Sequence, residues 1–238
     1  MKVVISIGGS LLTKGTDFSN TDTFSKNFNR YADVVMKLRR DGHQVVIVTG
    51  GGMPARLFQK IGRNFTKDYG KLDELGILAT KLNAQLLSAA LERMEEGVVY
   101  DRIIADPNDM GFAFFESEGK KIIVCGGWKP GCSTDLDAVL HAKEIGAELV
   151  INATNVDGVY TADPNKNPNA KKIDNLSYQE FRKIIEAVPQ TPGEYRLFDL
   201  KGIDILQKNR IKLVVIDGSD PTEILRAVEG SHKGTVVG

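Results

Sequence analysis

The chain has 238 residues, enough for one large domain or two small ones around a proper buried core. Lysine plus arginine (31) balances aspartate plus glutamate (31), so no net field draws in nucleic acid or an anionic membrane. Any anionic ligand must then be held by local geometry. The two cysteines, Cys125 and Cys132, are too few for a disulfide scaffold and lack the paired spacing of a zinc site, which points to a reducing compartment.

The opening MKVVISIGGS has a short apolar run broken by glycines. It reads as a strand over Lys2–Ile7 rather than a signal peptide or membrane span, and a soluble cytoplasmic protein is expected. A helix near Thr21–Asp41 follows, then a strand over Gln44–Thr49 and helices near Pro54–Phe65 and Lys71–Glu95. Next come a strand over Lys121–Cys125, a helix over Thr134–Ile145 and a strand over Glu148–Ala153. Helices near Tyr178–Glu186 and Phe198–Asn209, a strand over Ile211–Ile216, a helix near Pro221–Glu229 and a short closing strand at Thr235–Val237 complete the chain. Several strands are apolar without strict alternation, as in parallel strands covered on both faces. The alternation of strand and helix predicts an α/β fold: one domain, a three-layer αβα sandwich around a mainly parallel sheet. GVYTADPNKNPNAKKIDNL, rich in proline and asparagine, is an excursion after the fourth strand, where such folds place a ligand.

Three strands are each followed by a glycine loop: Gly8-Gly9-Ser10, Gly50-Gly51-Gly52 and Gly126-Gly127. Glycine lets backbone N–H groups approach a ligand, and a helix N-terminus adds partial positive charge. One such loop is weak evidence, since tight turns need glycine anyway. Three on one edge of a parallel sheet suggest two phosphate-bearing ligands meeting end to end. There is no G-x-x-x-x-G-K-[ST] and no strand-linked G-x-G-x-x-G, which argues against a P-loop enzyme and a dinucleotide fold.

The third loop runs into CGGWKPGCSTDLDAVLHAKEIGA, a helix start that carries carboxylates. Asp135 reads either as part of the N-cap or as an acidic group that holds cations around a transferring phosphoryl group. Asp137 reads as a first-turn residue favoured by the helix dipole.

ISIGGSLL, VVIVTGGGMPAR, GGWKPGCSTDLDA and NATNVDGVYTADPNKNPNAKKI together resemble the amino-acid kinase superfamily, and within it the archaeal-type uridylate (UMP) kinases. The likeness extends to the terminal GSHKGTVV, and TNVDGVYTADP is its most specific piece. It implies an acceptor-binding side over about 1–147 and an ATP-binding side over about 148–238. The implied reaction moves the γ-phosphoryl group of MgATP to UMP. It also implies Mg²⁺ as the companion of ATP and a homohexamer built as a trimer of dimers.

By matching motifs, Gly9, Ser10, Gly52 and Arg56 fall at ATP-phosphate positions, and Thr154, Asn155, Tyr160 and Asp163 at nucleotide contacts of the ATP side. Gly51, Asp73 and the run Trp128, Lys129, Pro130, Gly131, Cys132, Ser133, Thr134 fall at UMP positions, and Asp135 at the charge-organising aspartate. Apart from the resemblance, Asp73 reads as a helix first-turn carboxylate; Tyr160 reads equally as packing, and Asp163 as a turn former before Pro164. The acceptor is already a phosphate, so no general base is required and none of the three histidines has to be catalytic.

Three features depart from the family pattern, one of them the segment QTPGEYRLFDLKGIDIL, which lacks the usual small residues and carries no functional reading. Many members carry a lysine two residues before the first glycine pair, where this chain has Ser6; archaeal uridylate kinases also tend to lack it. Lys14 and Lys166 are the candidates to supply that charge, with a solvated surface lysine as the alternative for each. Trp128-Lys129 stands where small or polar residues are usual, so Trp128 reads either as a base-stacking ring or as loop packing. The rival readings are another small-acceptor kinase, isopentenyl phosphate kinase first, or a non-catalytic nucleotide-binding protein. The former typically has a histidine after the second glycine loop, where Met53-Pro54-Ala55-Arg56 stands here.

Overall fold

The strands follow from short β-branched runs such as KVVISI and QVVIVT, whose alternate side chains are buried on opposite faces. In the computed structural model, which describes residues 1–15, 21–162, 167, 169–187 and 198–238, they are β1 (Lys2–Ile7), β2 (Gln44–Thr49), β3 (Ile123–Cys125) and β4 (Leu149–Thr154). These are followed by β5 (Val159–Tyr160), β6 (Lys172–Ile173), β7 (Asn175–Leu176), β8 (Lys212–Asp217) and β9 (Thr235–Val237). The helices are α1 (Gly9–Leu12), α2 (Thr21–Arg40), α3 (Gly52–Gly62), α4 (Tyr69–Met94), α5 (Pro107–Glu116), α6 (Thr134–Ile145), α7 (Tyr178–Ala187), α8 (Leu200–Asn209) and α9 (Thr222–Glu229).

Seven strands form one sheet in the order β3-β2-β1-β4-β8-β9-β7. Its first five strands pair in parallel, and only the β8–β9 pairing is antiparallel. One core joins Val3, Ile5, Ile7, Ile47 and Ile151 to Phe28 and Val35 of α2, Leu87 and Leu91 of α4, and Ile224 of α9. The other joins Val4, Val46, Val48, Val150 and Val215 to Met110 of α5, Val139 of α6, Phe181 of α7 and Leu206 of α8. Helices thus cover both faces, and the expected three-layer αβα sandwich is present.

Chain order explains where a ligand fits. From β1 the chain adds β2 and β3 on one side; α6 then carries it back across the sheet to β4, on the other side of β1. The order reverses at β1/β4, and open α/β sheets bind ligands beyond the strand C-termini at such a reversal. All three glycine loops lie at that edge.

Several element boundaries differ from expectation. α3 begins at Gly52, because Pro54 occupies its first turn, where a missing N–H costs nothing. α1 and α5 were not anticipated: α1 spans four residues, and α5 opens on the cap Asp106 with Pro107 at its start. The excursion after β4 contributes a small antiparallel pair, β5 with β6, and β7, which pairs with β9. Among the described residues no helix is long and apolar enough to cross a membrane.

Candidate active site

Two of the glycine loops touch backbone to backbone. A Cβ placed on Gly9 would lie 2.1 Å from the Gly52 nitrogen and 2.4 Å from the Gly50 carbonyl carbon, so no side chain fits there. Gly52 also has φ +63, and a Cβ on it would sit 2.2 Å from the Gly9 oxygen. Side chains brace the pair. Thr13 Oγ1 donates to the Gly9 oxygen and accepts from the Met53 N–H at 3.1 Å, while Asn83 Nδ2 donates to the oxygens of Gly50 and Gly51. α3 starts from Gly51 with no side-chain cap; Thr13 takes the Met53 N–H, Pro54 has none and the Ala55 N–H bonds the Gly51 oxygen, which leaves the Gly52 N–H of the first turn to face the crevice. Ser10 opens α1 beside this contact, and Arg56 is exposed on the second turn of α3.

The third loop is pinned from α4. Thr80 Oγ1 accepts the Gly127 N–H at 2.6 Å, and Thr49 Oγ1 donates to the Thr80 oxygen at 2.9 Å. Thr49, Thr80 and Asn83 are buried and tie the glycine loops together. Sequence reading missed all three, since a buried hydroxyl at a strand end or a buried hydroxyl or amide on a helix face has no local signature.

Asp135 is not the N-cap of α6. Ser133 fills that role, its hydroxyl accepting from the Leu136 N–H, and frees the aspartate for another partner. Ser6 Oγ donates to Asp135 Oδ1 at 3.0 Å, and Asn152 donates to the same carboxylate. Ser6 and Asn152 are register neighbours on β1 and β4, so the carboxylate sits over the point where the strand order reverses. Desolvation pushes its pKa up to about 6, opposed by those two hydrogen bonds and aided by the charge of Asp199. At neutral pH it is mostly ionised. Ser6, noted in the sequence only as a missing lysine, orients it together with Asn152.

Asp137 does more than complement the dipole. It is fully buried, and its Oδ2 accepts the Trp128 N–H at 3.1 Å. Desolvation first, then Asp135 and Asp199, raise its pKa to about 7 against the lowering effect of the Trp128 N–H and Lys129. Asp73 lies one turn beyond the start of α4, whose cap is Asp68, so the first-turn reading fails for it. Its Oδ2 accepts the Gly131 N–H at 3.0 Å instead. The run Trp128–Thr134 is therefore held by carboxylates from two helices. Lys129 Nζ sits 3.6 Å from the centre of the Trp128 ring, Gly131 takes φ +82, Pro130 is exposed and Cys132 is a partly buried free thiol.

Asp199, the cap of α8, was not anticipated, because its segment gave no functional signal beyond a helix start. Its charge acts on Asp135, Asp137 and Cys132, and Lys201 lies close enough to act on Cys132 as well. Asp135 and Asp199 stand at this end of the crevice with Asp137 buried behind them, so the arrangement suits a ligand that brings cations with it.

On the β4 side, Thr154 ends the strand and donates to Asn155 Oδ1, and Tyr160 on β5 donates its hydroxyl to Asp157 at 2.7 Å. Lys14 is exposed just past α1. Asp163 and Lys166 lie outside the described residues. His141 is buried in α6, where desolvation lowers its pKa to about 4; it faces the core and not the crevice.

The amino acid kinase family profile matches residues 1–217, from β1 to the end of β8. The chain belongs to the amino acid kinase family. Among its relatives, the uridylate kinase of Methanocella arvoryzae is 36% identical over 237 residues, covering 100% of this chain and 99% of the relative. That of Methanocorpusculum labreanum is 37% identical over 238 residues, covering 100% and 95%. The crystal structure of uridylate kinase from Archaeoglobus fulgidus superposes with a TM-score of 0.82 at 35% identity, with 100% of both chains covered. As an amino acid kinase, the chain carries its most crowded polar chemistry where the strand order of this fold reverses.

Proposed function

We infer that this amino acid kinase is a UMP kinase, which transfers the γ-phosphoryl group of MgATP to UMP and releases UDP and ADP. The observation that carries the reading is likeness over the whole chain to proteins named uridylate kinases, through both the glycine loops and the segment around Asp135. Phosphoryl transfer needs alignment and charge neutralisation more than covalent help, and the crevice is built for that. Backbone N–H groups at Gly9-Ser10 and at the start of α3 receive the phosphates of ATP, with Arg56 beside them. Gly51, Asp73 and the run Trp128 to Thr134 receive UMP, and Thr154, Asn155, Tyr160 and Asp163 the rest of ATP. The acceptor side accordingly spans about residues 1–147 and the ATP side about 148–238.

Asp135 orients cationic groups across the transferring phosphate, and Mg²⁺ arrives with ATP as part of the substrate. Lys14 and Lys166 supply positive charge in place of the lysine that Ser6 displaces. The UMP phosphate is largely dianionic at neutral pH, so it attacks without a general base. The chain works in the cytoplasm as a homohexamer. Support for assembly comes from an apolar face on α3 and α4, where Phe58, Ile61, Leu78, Leu82 and Leu86 are exposed.

An ADP-release assay with UMP, CMP, dUMP, AMP and isopentenyl phosphate tests the reading. Turnover with UMP at least tenfold above the others is expected. Failure with UMP and success with another acceptor would reject it, and no turnover at all would favour a binding protein.

A further inference from the structure

The segment assigned to the acceptor is anchored unevenly. Between β3 and α6 the chain runs through Gly126-Gly127 into Trp128–Thr134, and two side-chain carboxylates grip its backbone. Asp73, on α4, accepts the Gly131 N–H from a partly exposed position. Asp137, on α6, accepts the Trp128 N–H from a position with no exposure at all. Water competes more freely for the first bond, which is exposed, than for the second, which is part-buried.

Asp137 is otherwise an awkward residue to place here. Its Oδ1 is buried with no hydrogen-bond partner among the described residues. Around it are Asp135 on the same helix, Asp199 at the start of α8, Cys125 at the end of β3, and Lys129 and Cys132 in the loop. Two of those neighbours are like-charged. A leucine or alanine there would be cheaper for the fold. Among the described residues the bond to the Trp128 N–H is the one hydrogen bond the side chain makes, and it reaches into the acceptor segment.

The two anchors also differ in what a nucleotide does to them. Asp73 is assigned to UMP, so ligand binding draws on the same carboxylate that holds Gly131. Asp137 has no exposed surface, so a nucleotide in the crevice does not compete directly for its carboxylate.

We propose that Asp137 is a positioning residue for the acceptor: through the Trp128 N–H it fixes the start of the Trp128–Thr134 segment, and thereby sets UMP affinity without touching UMP. The proposal rests on the UMP kinase reading and deepens it.

Trp128 is the single tryptophan of the chain, so its emission reports directly on the segment. In Asp137→Ala, KM for UMP should rise at least tenfold, with kcat within about threefold and KM for ATP unchanged. Trp128 emission of the unliganded variant should shift to the red with lower anisotropy, and saturating UMP should restore much of both. Asp137→Asn keeps an acceptor oxygen for the Trp128 N–H and should return KM for UMP to within about threefold of the unaltered protein. An unchanged KM for UMP in the alanine variant, or a loss confined to kcat, would overturn the proposal.

Should the alanine variant not fold, amide exchange in the unaltered protein decides. The Trp128 N–H should be protected with and without UMP, and far more than the Gly131 N–H in the empty protein. Equal, fast exchange of both would overturn the idea. If the unaltered protein does not use UMP, the functional reading falls, while the Trp128 exchange and emission still judge the role of Asp137.

Discussion

Replacing Gly9 with alanine perturbs the site at the contact between its first two loops. The added Cβ would lie 2.1 Å from the Gly52 nitrogen and within 2.5 Å of the Gly50 carbonyl, where ordinary contact begins near 3.4 Å. The loops must therefore separate by about 1 Å or more, and the atoms in the way are backbone, which no rotamer change can move. Overpacking of this kind costs about 1–3 kcal/mol, and the absence of any soft neighbour argues for the upper end. For a chain of this size about 3 kcal/mol lowers Tm by roughly 6–12 °C. The phosphate cradle opens with the loops, so kcat/KM for ATP should fall by at least about 100-fold, since misplacement of about 1 Å can cost that much. Gly8→Ala is the internal control. Its Cβ would meet only the Ala153 oxygen at 3.2 Å and Leu11 at 3.8 Å, and Gly8 already has φ −54. Thermal unfolding and steady-state kinetics of the two variants should rank Gly8→Ala close to the unaltered protein and Gly9→Ala far below it. Equal behaviour of the two, or an active and stable Gly9→Ala, would refute the close-approach argument.

Asp135→Asn should lower kcat by about two orders of magnitude or more while UMP binding stays measurable by calorimetry; unchanged turnover would leave Asp135 a structural residue. The raised pKa of Asp137 makes a pH prediction with a definite sign. Between its ordinary value of 3.8 and about 7 the folded chain binds the proton more tightly than the unfolded chain, so this group's contribution to stability declines as pH rises through that window. Urea unfolding should show Asp137→Asn gaining on the unaltered protein from pH 5 to pH 8, by at most about 3 kcal/mol; a gain that shrinks with pH would contradict the assignment. Leu82→Arg, in the middle of the apolar face of α4, should reduce the assembled mass seen by light scattering; an unchanged mass would move the interface elsewhere.

Much of the fold was legible because its strands are β-branched runs and its long helices carry apolar periodicity. Lys2–Ile7 and Gln44–Thr49 were bounded to the residue, as was α6 over Thr134–Ile145. α5 escaped although Asp106-Pro107 is a good start signal, because PNDMGFAFFE has no polar stripe to set its period. The glycine loops were legible as a class, since three at strand ends can converge only at one sheet edge. Their partners were not: the bond of Ser6 to Asp135 spans 129 residues, and that of Asp73 to Gly131 spans 58. Such pairs depend on the register of β1 with β4 and on α4 packing beside β3, which no local pattern encodes. The same holds for Asp137, whose local signal, an acid in a first turn, concealed a buried carboxylate bonded to a loop nine residues back.

The account's central claim is that UMP and ATP meet end to end over the glycine loops, with Asp135 beside the phosphate that moves. A crystal structure with UMP and a non-hydrolysable ATP analogue tests it most directly. The UMP phosphate should lie against Gly51 and the Trp128–Thr134 segment, the analogue's γ-phosphate against Gly9-Ser10 and Gly52, and Asp135 between them. UMP seated anywhere other than the crevice beyond β1, β2 and β3 would contradict the account.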